Sequence, residues 1–87
     1  MATENRELEH SPLSGIVTRD GISVDVQIYR FAGPDEPWQL EVIDHEGGST
    51  VWDYRFASDK HAYRAFNEAV AREGIGSFVS AQGKLLH

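Results

Sequence analysis

The dipeptide Asp20-Gly21, with apolar residues alternating on both sides of it, constrains this chain more than any other feature. A two-residue Asp-Gly loop supplies the positive φ angles of a type I′ turn, whose twist suits an antiparallel hairpin. That turn sets Val17 opposite Val24, Gly15 opposite Val26 and Leu13 opposite Ile28 on one face of the ribbon. Thr18 with Ser23, Ile16 with Asp25, and Ser14 with Gln27 take the other face. Apolar residues collect on the first face, the pattern of a half-buried antiparallel pair.

The breaker-rich segment Ala32-Gly33-Pro34-Asp35-Glu36-Pro37 is a loop. A third strand follows, in which Trp38, Leu40 and Val42 alternate with Gln39, Glu41 and Ile43. The Gly47-Gly48 turn leads to a fourth strand near residues 50–56. Its parity is decided by charge. With Trp52, Tyr54 and Phe56 inward, Val51, Asp53 and Arg55 face out; the reverse would bury two charges at a cost of several kcal/mol. Matching this parity to the third strand needs an odd-length loop, for example the five residues Asp44 to Gly48, unless a bulge at the glycines changes the count.

A helix follows, with signals at both ends. Ser58 is a natural N-cap, and Asp59 suits the positive end of the helix dipole. Ala62, Phe66, Ala69 and Val70 recur at helical spacing, with Tyr63 widening the stripe. Gly74 sits where a left-handed C′ residue belongs, and Ile75 is placed to fold back onto Val70. Phe78 and Val79 dock at the core edge. The expectation is an α+β fold: a four-stranded antiparallel β-meander with one C-terminal α-helix packed on one face (ββββα). A single domain at 12–79 lies between a flexible N-terminal tail, 1–11, and a C-terminal tail, 80–87. At 87 residues the chain is one domain by length.

Composition narrows the chemistry. The absence of cysteine excludes disulfides, thiolate nucleophiles and Cys-based metal sites, and fits a reducing compartment. The N-terminus lacks the apolar run of a signal peptide, and no segment approaches the roughly 20 apolar residues of a membrane span. The chain reads as cytoplasmic, with no membrane partner. Its net charge of −6 weakens non-specific attraction to nucleic acid.

No catalytic, cofactor-binding or metal-binding residues emerge. His10, His45, His61 and His87 lack ligand spacing, and Asp44-His45-Glu46 reads as a polar turn. Neither Gly76-Ser77-Phe78 nor Ser14-Gly15 has the strand–elbow–helix setting of a hydrolase serine. Gly47-Gly48 precedes a strand, not the helix start a phosphate cradle needs. The uncovered sheet face is more informative. Parity puts Ile16, Tyr29, Ile43 and Val51 there, among Asp25, Gln27, Gln39, Glu41, Asp53 and Arg55. The apolar members with Arg55 form a candidate interaction face. The leading expectation is a non-enzymatic binding or self-associating module, a homodimer or the binder of a protein partner. A third reading gathers Asp25, Glu41 and Asp53 into a metal-binding or acid–base cluster.

The order of elements over residues 13–75 resembles the subunit plan of the PC4-type and Whirly-type single-strand nucleic-acid binders. That resemblance implies nucleic-acid binding on a sheet or groove. No motif of those families maps onto a residue here. The exposed face departs from the pattern, with three acids against Arg55 and only Tyr29 and Phe31 to stack on.

Overall fold

The structure, a computed structural model, describes residues 7–79 and 84–86. Six strands among these residues form one sheet: β1 (Leu8–His10), β2 (Gly15–Arg19), β3 (Ile22–Phe31), β4 (Gln39–Asp44), β5 (Ser49–Trp52) and β6 (Lys84–Leu86). Helix α1 (Asp59–Glu73) and a short 3₁₀ helix (Ile75–Phe78) lie between β5 and β6. The sheet order is β1-β3-β4-β5-β6, with β2 also on β3; pairing is antiparallel except for the parallel pair β5–β6. The fold is α+β, an antiparallel sheet carrying one C-terminal α-helix.

The hairpin takes the register its turn dictates. Val17 pairs with Val24, Ile16 with Asp25 and Gly15 with Val26. Asp20 and Gly21 both hold positive φ, 54° and 76°, as a type I′ turn requires. The pairing stops at Gly15, however. Leu13 does not face Ile28; it is exposed in a turn, and Ser14 takes the place opposite. Pro12 has no N–H to give the ladder, so the chain leaves the sheet between Ser11 and Ser14. Side chains cover the gap. The Ser14 hydroxyl accepts from Ile28 N (3.0 Å) and donates to Ile28 O (3.2 Å). Buried Ser11 donates its hydroxyl to Asp59 Oδ2 (2.8 Å), tying this edge to the start of α1.

Two stretches expected as tails supply strands. β3 is ten residues long and β2 only five, so the far end of β3 overhangs its hairpin partner. β1 fills that overhang, with Leu8 opposite Phe31 and His10 opposite Tyr29. At the other side β6 pairs Val51 with Leu85, so β5 is not an edge. Unpaired backbone at a sheet margin is the physical reason for both additions. Residues 1–6, 80–83 and 87 of the expected tails lie outside the described residues.

The β4–β5 loop is the expected five residues, since Ile43 pairs with Ser49. Asp44 holds it: buried at 5% exposure, its Oδ1 accepts from Glu46 N and Gly48 N, both at 2.8 Å. β5 ends earlier than the alternation suggested. Trp52 is buried, but the chain bends at Asp53 and Tyr54, leaving Tyr54 46% exposed. Phe56 then returns to pair with Trp38 through both backbone hydrogen bonds (2.8 and 2.9 Å). Tyr54 is thereby outside the core rather than in it, resting against Phe56 with ring centroids 5.1 Å apart.

Helix α1 begins as read: Ser58 is extended, and its hydroxyl accepts from His61 N at 3.1 Å. At the C-terminus Gly74 has φ 85° and ψ 151°, and its N–H donates to Val70 O. That ψ is extended, so the chain turns straight into the 3₁₀ helix rather than closing a Schellman motif. Ile75 and Phe78 are consequently buried. Ala62, Phe66 and Ala69 meet Val24, Val26, Ile28, Leu40, Val42 and Trp52 across one face of the sheet.

Candidate interaction face

Helix and 3₁₀ turn cover one side of the sheet, so the opposite side is bare among the described elements. Register decides which side chains meet there. Across one row lie Ile16, Asp25, Ile43 and Ser49; the next holds Gln27, Glu41 and Val51. Beyond these come His10, Tyr29 and Gln39, then Leu8 beside Phe31. Asp25 therefore stands between Ile16 and Ile43, whereas Val51 sits diagonal to Ile43, at about 7–8 Å and within reach of a branched side chain.

The candidate residues fall into two groups. Ile16, Ile43 and Val51 share the end nearer the Asp20-Gly21 turn, with Ile16 67% exposed and the others half-buried. Tyr29 and Arg55 belong to the other end. There Leu8, Phe31 and Pro37, together with Tyr29, Arg30, Gln39 and Arg55, enclose a shallow pocket of about 130 Å³. Leu8 and Pro37 are additions that sequence reasoning missed. Leu8 looked like a lone apolar residue in an acidic tail; the signal available was the length of β3, whose alternation runs on to Phe31.

Hydrogen bonds fix the polar members. Gln27 Nε2 donates to Asp25 Oδ1 (2.8 Å), and the Tyr29 hydroxyl donates to Glu41 Oε1 (3.1 Å). Arg55 lies past the end of β5 yet reaches back to this face, giving its Nε to Gln39 Oε1 at 3.3 Å. The Gln39 amide in turn donates to Trp52 O at 2.8 Å. Asp25 and Glu41 are held by different partners in different rows, and Asp53 lies in the bend beyond β5. The three carboxylates do not converge, and no group of three or more His, Asp or Glu suited to a metal occurs among the described residues.

Burial pushes the Tyr29 phenol above its ordinary value of 10.0; the Glu41 charge and hydrogen bond add to this, and Arg55 opposes it. Above pH 10.0 the unfolded chain releases the Tyr29 proton while the folded chain still holds it, so stability falls as pH rises through the folded value. Alkaline absorbance titration of the wild type minus Tyr29→Phe is expected to show a midpoint above 10.0. A midpoint at or below 10.0 would show that the phenol is neither buried nor held against Glu41 as the structure has it.

Compared with protein families, curated proteins and solved structures, the chain matches none. Among the described residues no helix is long and apolar enough to cross a membrane.

Proposed function

We propose that this protein is a non-enzymatic binding module, working in the cytoplasm through the bare face of its sheet, with a second copy of itself as partner. The observation that carries the reading is the group Ile16, Ile43 and Val51, apolar side chains on a face that no described element covers. Ile43 and Val51 are diagonal neighbours, Ile16 lies on the far side of Asp25, and apolar groups gathered on one uncovered surface commonly mark a contact site. A two-fold contact is the commonest way for one chain to bury such a patch against itself, because the same surface serves both copies. Across that axis Ile16 of one copy meets Ile43 and Val51 of the other, while Asp25 and Glu41 keep the approach selective by repulsion.

Sedimentation equilibrium tests this. The wild type is expected to dimerise at high micromolar concentration, more tightly as salt screens the facing acids. Ile16→Asp and Val51→Lys are each expected to give monomers with unchanged circular dichroism. A wild type that stays strictly monomeric at all salt concentrations defeats the proposal. Single-stranded nucleic acid has less to hold on to: Asp25 and Glu41 occupy the middle of the face, and the cation reaching it, Arg55, is at one end.

A further inference from the structure

The pocket at the Leu8–Phe31 end differs in character from the rest of this acidic molecule. In a chain of net charge −6, no acid lines it among the described residues; of its two arginines, Arg55 reaches the bare face, and Arg30 turns its side chain to the other side of β3. Arg30 is already engaged. Its Nε donates to Glu9 Oε1 at 3.0 Å, its Nη1 to Glu36 O at 3.3 Å, and its guanidinium lies 4.2 Å over the Trp38 ring. Among the described residues Arg55 is committed only through Nε, to the neutral Gln39. Its two terminal nitrogens have no carboxylate among the described residues, and Arg55 lines the pocket together with Leu8, Phe31 and Pro37.

We propose that this pocket binds a carboxylate carried on one ring-sized apolar group, with the carboxylate on the Arg55 guanidinium and the apolar group against Leu8, Phe31 and Pro37. Three features select that chemistry. A planar guanidinium whose terminal nitrogens face no described carboxylate matches an incoming one through two parallel hydrogen bonds. The volume of about 130 Å³ is well below the roughly 300–1,000 Å³ of drug-sized pockets, so one ring or one large side chain fills it. Glu41, which accepts the Tyr29 hydroxyl hydrogen bond next to the pocket, repels a dianion more than a monoanion, disfavouring a phosphate. Tyr29 therefore serves as a wall and not as a donor, and Arg55 supplies the specificity. The chemistry has two sources: a free apolar acid, or the terminal carboxylate of a peptide ending in a large apolar residue.

The inference rests on the bare face being the working surface, but not on self-association. The test is a nuclear magnetic resonance titration of the full ¹⁵N-labelled chain. Phenylacetate and N-acetylphenylalanine are compared with their uncharged amides, reading the Arg55 Nε–H and the backbone amides of Tyr29, Phe31 and Gln39. Both acids are expected to cause saturable shifts at these positions, and the amides to bind at least about ten-fold more weakly. Tighter binding of phenylacetate points to a free acid, and tighter binding of N-acetylphenylalanine to a peptide terminus. Arg55→Gln should lose about ten-fold or more in affinity, and Arg55→Lys, which keeps charge without the fork, should fall between. Because Arg55 is exposed, both variants should keep a dispersed spectrum. Equal shifts from acid and amide overturn the proposal, as do undiminished binding by Arg55→Gln and the absence of saturation. Repeating the titration on Ile16→Asp separates the two ideas: acid binding by a monomer leaves the pocket standing while the dimer falls.

Discussion

Phe66→Ala is expected to lower the unfolding free energy by about 3–5 kcal/mol. Phe66 is fully buried at the centre of an aromatic series that joins the helix to the sheet. Its ring centroid lies 5.8 Å from Tyr63 and 5.9 Å from Phe78, and Phe78 lies 6.2 Å from Trp52. Removing it takes apolar area out of the core and leaves a hole that the rigid sheet cannot collapse to fill. A chain of 87 residues has a total stability on the order of 4–13 kcal/mol at typical per-residue values, so this one truncation removes a large share of it. Urea unfolding should show a lower midpoint at an unchanged slope. Phe66→Leu, which refills most of the space, should cost clearly less, whereas exposed His61→Ala should stay within about 0.5 kcal/mol of wild type. A loss below about 1 kcal/mol for Phe66→Ala would mean that the helix is not anchored through this ring.

The opposite sign is expected at Thr50. Its hydroxyl is fully buried on the helix side of β5, and Oγ1 has no hydrogen-bond partner among the described residues. A buried hydroxyl left unpaired costs about 1–3 kcal/mol relative to an apolar group of the same shape. Thr50→Val exchanges the hydroxyl for a methyl at the position opposite Val42, on a strand where a β-branched side chain is already accommodated. The variant should gain about 1–2 kcal/mol, or about 4–8 °C in Tm for each kcal/mol in a domain of this size. Unchanged or reduced stability would show that the hydroxyl does have a partner, and that the inner face at β5 is wetter than its burial implies.

Much of the architecture was legible before any coordinates. Asp20-Gly21 dictated both a hairpin and its register, because a type I′ turn leaves no freedom in the pairing that follows. Ser58 and the apolar stripe through Phe66 marked the helix for equally local reasons. The five-residue loop at Asp44–Gly48 followed from keeping Trp52 and Val42 on one face. The errors share another cause. β1 and β6 are three residues each and have no alternation of their own; they are strands because a partner margin needs hydrogen bonds. Tyr54 was misplaced because alternation cannot reveal where a strand bends away.

Of the interaction face, parity named Ile16, Tyr29, Ile43, Val51 and Arg55, but it did not divide them. That division depends on how β1, β3 and β4 slide past one another and on the bend that returns Arg55 toward Gln39. Within β2 to β5 and the helix, the chain by itself determined which side chains turn toward the helix and which turn away, since turn chemistry and alternation act over a few residues; Leu13 and Tyr54, beyond the strand ends, escaped that rule. Only the tertiary structure decided that Leu8 would close a pocket with Phe31 and Arg55. Neighbours drawn from distant segments are set by long-range pairing, whose outcome no short window of sequence contains.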